Sequence, residues 1–435
     1  MDTILRLAKK VIPSSLFDKA QPTYHRFMAW LGAAIYRFPS RQIKVIGITG
    51  TKGKSTTTEL VNAILEEAGY TTALTNTLRF KVGSHSRRNL YKMSMPGRFF
   101  MQKFLREAVD AKCEWAVLEM TSQGAAQFRH KHIELDALIF TNLSPEHIES
   151  HGSYENYVQA KLDIGRELAA SPKENRIIVA NADDKESEKF LALDIPRKET
   201  FSLKDVSTSI LQEDGTTFVW NNIRITSPLP GEFNLLNMLA AATFAKAERI
   251  PADAVKRGLE RTTLVRGRVE KVTLPKDDPK LAKLAEKQDF TAVVDYAHTA
   301  DSLEKLYKAF EKSRKICVLG NTGGGRDKWK RPEMAKVAEK YCDEIILTNE
   351  DPYDEDPRAI LNEMMAGIHK KEKAEIIIDR REAIRNALAR AGRHDVVLIS
   401  GKGTDPYIML ANGKKQPWDD AEVVREELEK ILAKK

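Results

Sequence analysis

Val45-Ile-Gly-Ile-Thr-Gly-Thr-Lys-Gly-Lys-Ser-Thr56 is the stretch that decides the fold. An apolar, β-branched run leads into a glycine-containing turn, and Lys54 and Ser55 then open a helix. Backbone N–H groups of such a turn, together with the helix N-terminus, cradle phosphate oxygens. Gly50, Thr51, Lys52, Gly53, Lys54, Ser55 and Thr56 are therefore the candidate nucleotide-phosphate residues. Lys54 is placed to reach the β/γ-phosphates and Ser55 to ligate Mg2+. Ile48 stands where the general G-x-x-x-x-G-K-[ST] pattern has its first glycine, with Gly47 and Gly50 on either side. The strand–turn–helix setting outweighs that departure.

Outward from this loop, short apolar runs alternate with helical patterns. Ile43–Ile48, Trp115–Leu118, Ala137–Phe140 and Ile177–Ala180 read as buried parallel strands. Ser55–Ala68, Arg98–Ala111 and Tyr154–Ala169 read as helices. The charged stretch Lys271–Gln288 reads as a solvated excursion near a domain boundary. Beyond it a second series begins, with strands at Thr291–Val294, Lys315–Leu319, Glu344–Leu347, Glu375–Ile378 and Val396–Ile399. The expected fold class is α/β: a central P-loop-type parallel-sheet ATPase domain over 43–268, then a Rossmann-like C-terminal domain over 269–435. Residues 1–42 form a leader. Its segment Tyr24–Phe38 reads as a helix docked on the first domain, with a membrane-surface helix as the alternative.

Composition sets the outer limits. The 435 residues are 42% hydrophobic and 30% charged, as in an ordinary globular protein rather than a disordered or fibrous one. No apolar run reaches the roughly 18–20 residues needed to span a bilayer. Cys113, Cys317 and Cys342 lie far apart without a C-x-x-C pair. That argues against a disulfide scaffold or a cysteine-rich zinc site and suits a reducing cytoplasm. The formal charge of +8 permits an anionic partner, but in so long a chain it is no nucleic-acid footprint.

The form Gly50-Thr-Lys-Gly-Lys-Ser55 resembles the Mur ligases and their folylpolyglutamate synthetase relatives. Further segments follow in the same order: Leu118-Glu-Met-Thr-Ser122, Thr141-Asn-Leu-Ser-Pro-Glu-His147 with His151-Gly152 and Tyr157-Val-Gln-Ala-Lys161, and Gly231-Glu-Phe-Asn-Leu-Leu-Asn237. Arg266-Gly-Arg-Val-Glu270 is similar to the family's junction segment. Asp295-Tyr-Ala-His298, Gly320–Arg331, Asp379-Arg380 and Gly401-Lys-Gly403 resemble the branch that adds the third residue of the peptidoglycan peptide, the UDP-N-acetylmuramoyl-tripeptide synthetases.

The resemblance implies an ATP-dependent, ADP-forming ligase that joins a carboxylate to an amine through an acyl-phosphate. It assigns one Mg2+ to Ser55 and Glu119, and a second to His147 and Lys161. Lys54, Glu119, His147 and Lys161 are thereby the catalytic set. An ammonium cannot ligate a metal, and in the family the lysine at this place is N-carboxylated, so Lys161 is expected to carry that group. Asn237 is assigned to adenine, Arg268 to the γ-phosphate and Asp295 to the ribose, in a second domain that closes over ATP. For Asn237 alone, a helix-cap role competes.

Departures bear on the substrates. Residues 1–42 take the place of the family's uridine-nucleotide domain, so the expected acceptor is a muropeptide-like carboxylate that need not be uridine-linked. It could be lipid-linked or free. The amino-acid selecting motif reads Glu350-Asp-Pro-Tyr353, and Tyr353 cannot clamp a second carboxylate as arginine does. Glu350 and Asp351 would instead receive a cationic side chain such as lysine's. Gly401-Lys-Gly-Thr-Asp405 places Gly401 and Asp405 at the amine, and Gln127 and Arg129 stand at the acceptor. The competing readings are a folylpolyglutamate-type ligase and a partner-dependent ATP-binding subunit. The intact set of Lys54, Glu119, His147 and Lys161 argues against the latter.

Overall fold

The computed structural model describes residues 14–146, 148–325 and 327–434, with side chains from residue 21 onward. His147 and residues 1–13 of the leader lie outside the described residues. The chain forms two compact units: 1–144, 154–203 and 237–258 in the first, and 145–153, 204–236 and 259–435 in the second.

The first unit is built on an eight-stranded sheet in the order β4-β3-β2-β5-β1-β6-β7-β8. Its strands are β1 (Lys44–Thr49), β2 (Thr72–Thr75), β3 (Arg79–Val82), β4 (His85–Arg88), β5 (Trp115–Glu119), β6 (Ala137–Phe140), β7 (Ile177–Asn181) and β8 (Arg197–Phe201). β2, β5, β1, β6, β7 and β8 are parallel, and β3 and β4 add an antiparallel edge. The central strands are apolar because helices cover both faces: every residue of β5, β6 and β7 is buried. The helices that matter below are α1 (Ser14–Ile35), α2 (Lys54–Glu67), α3 (Arg98–Asp110), α4 (Tyr154–Ala169) and α5 (Glu232–Ala247). α1 docks on α3, as expected of the leader: Ala29 and Ala33 are buried, and a side chain at Gly32 would sit 3.6 Å from Phe99. Among the described residues no helix is long and apolar enough to cross a membrane.

The register places the site. Ile48 pairs with Glu119 and Thr49 with Phe140, so β1, β5 and β6 end together. β5 and β6 leave β1 on opposite sides, which makes the carboxyl end of β1 the topological switch point where open α/β sheets bind ligands.

The second unit has a six-stranded sheet in the order β12-β13-β17-β14-β15-β16 and a three-stranded antiparallel sheet, β11-β10-β9. The latter comprises β9 (Val206–Gln212), β10 (Gly215–Trp220) and β11 (Ile223–Ser227). The former comprises β12 (Glu270–Val272), β13 (Thr291–Asp295), β14 (Lys315–Leu319), β15 (Glu344–Leu347), β16 (Ala374–Ile376) and β17 (Val396–Ser400). A hairpin of β18 (Tyr407–Met409) and β19 (Lys415–Pro417) follows. Alternate strand residues feed a separate core on each face, Val293, Cys317 and Leu398 on one side and Val294, Val318 and Ile399 on the other.

Two expectations are corrected here. Lys271–Gln288 is not wholly a solvated excursion: β12 joins β13, and Pro279–Ala285 is helical, with Leu281 and Leu284 packed on the core beside buried Val272 and Leu274. The cysteines do pair, because Cys317 and Cys342 form a disulfide. They are 25 positions apart in sequence, yet α6 (Lys330–Tyr341) runs back along β14 and brings their Cα atoms to 6.1 Å. Cysteine usage therefore no longer speaks for a reducing compartment.

Burial of His130 gives the first unit an acid limit. Neither ring nitrogen has a hydrogen-bond partner, and the residue is 1% exposed. Burial, then Lys131, pushes its pKa down from 6.5 to about 3. The unfolded chain takes up a proton below about pH 6.5 that the native protein refuses until about pH 3, so stability is full above 6.5 and falls as pH drops. The expected slope is about 1.4 kcal/mol per pH unit. Calorimetric midpoints should decline between pH 6.5 and 5, and His130→Leu should flatten that decline.

Candidate active site

The turn after β1 takes its shape from two glycines. Gly50 has φ of 150°, and a Cβ there would meet Thr141 Oγ1 at 2.0 Å. Gly53, at φ 82°, precedes α2, and a Cβ would meet Asn237 Oδ1 at 2.2 Å. The turn is braced by the end of β6. Thr51 N donates to the Asn142 carbonyl, and Lys52 N donates to Asn142 Oδ1 at 2.9 Å. Thr141 Oγ1 and Asn142 Nδ2 both donate to the Lys52 carbonyl. With its own polar atoms held from behind, the turn is preorganised for an incoming anion.

Lys54 Nζ donates to the carbonyls of Gly50 and Thr51 at 3.0 and 2.8 Å, which keeps the ammonium over the turn. Ser55 Oγ donates to Glu119 Oε2 at 2.7 Å. Thr77 completes the cradle of that carboxylate, its N bonding Oε2 at 3.1 Å and its Oγ1 bonding Oε1 at 2.8 Å. Lys161, 2% exposed on α4, donates to the Gly50 carbonyl at 2.6 Å and lies 5.0 Å from the Tyr157 ring centroid. The Tyr157 hydroxyl pairs with Thr51 Oγ1 at 2.8 Å. Asn237, on α5, is buried against Gly53, within 3.4 Å of Thr57 Oγ1. Thr56 is buried in the first turn of α2.

The first unit thus gathers Gly50–Thr56, Glu119, Lys161 and Asn237 around one turn. Among the described residues no three His, Cys, Asp or Glu side chains converge on a metal-sized point. The donors here are a hydroxyl and one carboxylate, both oxygen. They fit Mg2+, which keeps waters and is bound by one or two carboxylates with substrate phosphates. Gln127 and Arg129 are also together: Arg129 Nη2 donates to Gln127 Oε1 at 2.6 Å, and Nη1 donates to the Met95 carbonyl.

The second unit holds the remaining predicted residues. Asp295 accepts from Val269 N and Ala297 N, both at 2.7 Å, and the Arg268 guanidinium lies 4.5 Å from the Tyr296 ring centroid. Glu350, Asp351, Gly401 and Asp405 surround Lys402, but the acids are not equivalent. Lys402 Nζ, 1% exposed, donates to Asp351 Oδ1 at 2.9 Å and to Asp405 Oδ2 at 3.3 Å. Asp351 is therefore engaged by an internal cation. Glu350 has no such ion pair, although the buried Arg380 guanidinium acts on it through space: Thr322 Oγ1 bonds its Oε1 at 2.8 Å, while Oε2 is buried without a hydrogen-bond partner. A Cβ on Gly401, at φ 104°, would stand 2.4 Å from that oxygen.

Five contributors carry no role in the sequence pattern. Tyr157, Thr141 and Asn142 lie inside the quoted T-N and Y-x-x-A-K segments, so the motif was legible but their bracing was not. Thr77 follows β2 and carries no motif signal. Lys402, in the G-K-G segment, was quoted without its counter-ions.

Comparisons with known proteins agree with this architecture. Residues 48–245 match the Mur ligase middle domain, and residues 281–403 match the Mur ligase glutamate ligase domain. The chain is 37% identical to UDP-N-acetylmuramoyl-L-alanyl-D-glutamate–2,6-diaminopimelate ligase of Syntrophomonas wolfei, over 93% of this chain and 82% of that protein. It is 36% identical to UDP-N-acetylmuramyl-tripeptide synthetase of Roseiflexus, with the same coverage. A solved structure of a UDP-N-acetylmuramoyl-L-alanyl-D-glutamate–2,6-diaminopimelate ligase matches at 26% identity with a TM-score of 0.59, over 89% of this chain and 78% of that one. Folylpolyglutamate synthase of Mycobacterium tuberculosis shares the fold, with a TM-score of 0.68 at 15% identity over 86% of this chain and 92% of its own. With the phosphate turn, the Ser55–Glu119 pair and the buried Lys161 in place, the chain belongs to the Mur ligase family and is an ATP-dependent, ADP-forming acid–amino-acid ligase.

Proposed function

We propose that this ligase joins an amino acid with a cationic side chain, lysine or one like it, to a free carboxylate of a muropeptide acceptor. The observation that carries the choice of amino acid is the buried, unpartnered Oε2 of Glu350. Leaving such an acceptor unfilled is costly, and an ammonium fills it. The names of the relatives point to 2,6-diaminopimelate as the second reading. Against it stands Tyr353, which offers no bidentate cation for a second carboxylate.

In this reading the acceptor carboxylate, met by Arg129 and Gln127, attacks the γ-phosphorus of ATP. The bond to the β-phosphate oxygen breaks, and ADP leaves. The amine of the amino acid, placed by Glu350, Gly401 and Asp405, then attacks the acyl carbon, loses a proton and expels phosphate. Lys54 and Arg268 neutralise charge on the transferring phosphoryl group, Asn237 meets adenine and Asp295 the ribose. Mg2+, held by Ser55 and Glu119, supplies charge neutralisation at the phosphates. His147 and an N-carboxylated Lys161 hold a second ion. On this reading the enzyme works in the cytoplasm, where ATP is available.

The test is phosphate release from ATP, screened with lysine, diaminopimelate and glutamate against uridine-linked, lipid-linked and free muropeptide acceptors. Turnover with lysine and a muropeptide is the expected result. Preference for diaminopimelate would overturn the amino-acid assignment, and glutamate incorporation into a folate acceptor would overturn the whole reading.

A further inference from the structure

Residues 141–144, which brace the phosphate turn, lie beyond the end of β6 and so outside the sheet's own ladder. On the β1 side one rung remains, with Thr141 N donating to the Thr49 carbonyl at 3.0 Å. On the β7 side the paired register ends at Phe140 and Ala180, and side chains take over from there. Asn181, the last residue of β7 and 4% exposed, donates from Nδ2 to the Thr141 carbonyl at 2.8 Å. Asp184 Oδ2 accepts from Leu143 N at 2.6 Å. Two backbone groups that the sheet cannot reach thereby find partners, as buried polar groups must.

The two side chains are themselves fixed. Residues 181–184 form a turn closed by Asp184 N on the Asn181 carbonyl at 3.1 Å, and Asp183 N donates to Asn181 Oδ1 at 3.0 Å. With its oxygen taken by that N–H, the Asn181 amide turns its NH2 to Thr141. Glu186 N donates to the other Asp184 oxygen at 2.9 Å. Asp183 faces elsewhere: its carboxylate accepts from Ser202 Oγ at 2.7 Å and from Leu203 N at 2.8 Å. Between residues 141–144 and the phosphate turn there is no slack. A Cβ on Gly50 would lie 3.0 Å from both the N and the O of Asn142, and Ser144 N donates to Thr51 Oγ1 at 3.0 Å. Close-packed contacts of this kind transmit a displacement rather than absorb it. Whatever sets the place of residues 141–144 therefore sets the place of the turn.

We propose that Asn181 and Asp184 are positioning residues for the phosphates of the nucleotide, acting through residues 141–144 on the turn at Gly50. The inference rests on that turn as the phosphate site and is independent of which amino acid the ligase adds. It is tested by equilibrium dialysis of the full chain with labelled ADP and Mg2+, and separately with labelled adenosine. Adenosine keeps the base and the ribose but lacks the phosphates, so the ratio of the two affinities reports on the turn. A loss of folded protein lowers both alike. Asn181→Asp sets an oxygen against the Thr141 carbonyl and should lower the ratio about tenfold. Asp184→Asn has one acceptor for two backbone N–H groups and should lower it about fivefold. Asp183→Ala, in the same turn, loses two bonds that do not reach residues 141–144. It should lower the thermal midpoint and leave the ratio at the wild-type value.

An unchanged ratio in either of the first two variants overturns the assignment of that residue. An equal fall in Asp183→Ala overturns both assignments, since residues 181–184 would then be scaffold and nothing more. Where Asn181→Asp yields no folded protein, Asp184→Asn decides. A wild-type chain that binds ADP no more tightly than adenosine would overturn the phosphate-turn reading and this inference with it. A wild-type preference for ADP that the variants leave unmoved overturns the inference alone.

Discussion

Replacing Lys161 by alanine is expected to reduce phosphate release at least about a thousandfold, the scale on which a preorganised electrostatic contact acts in a dry site. The side chain is 2% exposed, and its Nζ is 2.6 Å from the Gly50 carbonyl. An ammonium there holds the phosphate turn but offers nothing to a cation. N-carboxylation would turn the same side chain into an oxygen donor within the turn that Ser55 and Glu119 flank. Truncation to alanine leaves space for a small acid, so formate or acetate should restore part of the rate. Lys161→Met keeps the methylenes, leaves no such space and should not respond. Loss of activity in the alanine variant with no response to short-chain acids would count against the modification.

Glu350→Gln should lower kcat/KM for lysine about a hundredfold, with the change mainly in KM, and should narrow the gap between lysine and its uncharged analogue norleucine. A charged pair of this kind, desolvated on both sides, loses far more than a surface contact when one partner becomes neutral. The amide remains close to the carboxylate in shape and keeps the bond from Thr322 Oγ1, so folding is spared. Steady-state phosphate release with the two amino acids measures the effect. Equal loss on both substrates would remove Glu350 from side-chain recognition and leave it a scaffold residue.

Much of this architecture was legible because parallel strands covered on both faces are continuous apolar runs. β1, β5, β6, β7, β13, β14, β15 and β17 lie within a residue of where such runs place them. The antiparallel pieces escaped for the opposite reason. β9 is largely exposed, and β4 has no buried residue, so no core-facing pattern marks either. The phosphate turn was readable since its chemistry is local. Asp351 was not separable from Glu350, because what distinguishes them is Lys402, 51 positions from the one and 52 from the other. The disulfide escaped likewise, since only the return of α6 along β14 makes Cys317 and Cys342 neighbours.

That disulfide has a topological consequence. Cys317 lies within β14 and Cys342 directly after α6, so the bond closes a covalent ring around everything between them. The ring contains Gly320–Arg331, including Thr322, which bonds Glu350, and buried Arg331, which bonds Glu355 and Glu363. A loop tethered at both ends in a core has few ways to wander, and the crosslink removes still more from the unfolded ensemble. If Glu350 does receive the incoming amino acid, its support comes from a piece of chain closed into a covalent ring that begins within the sheet itself.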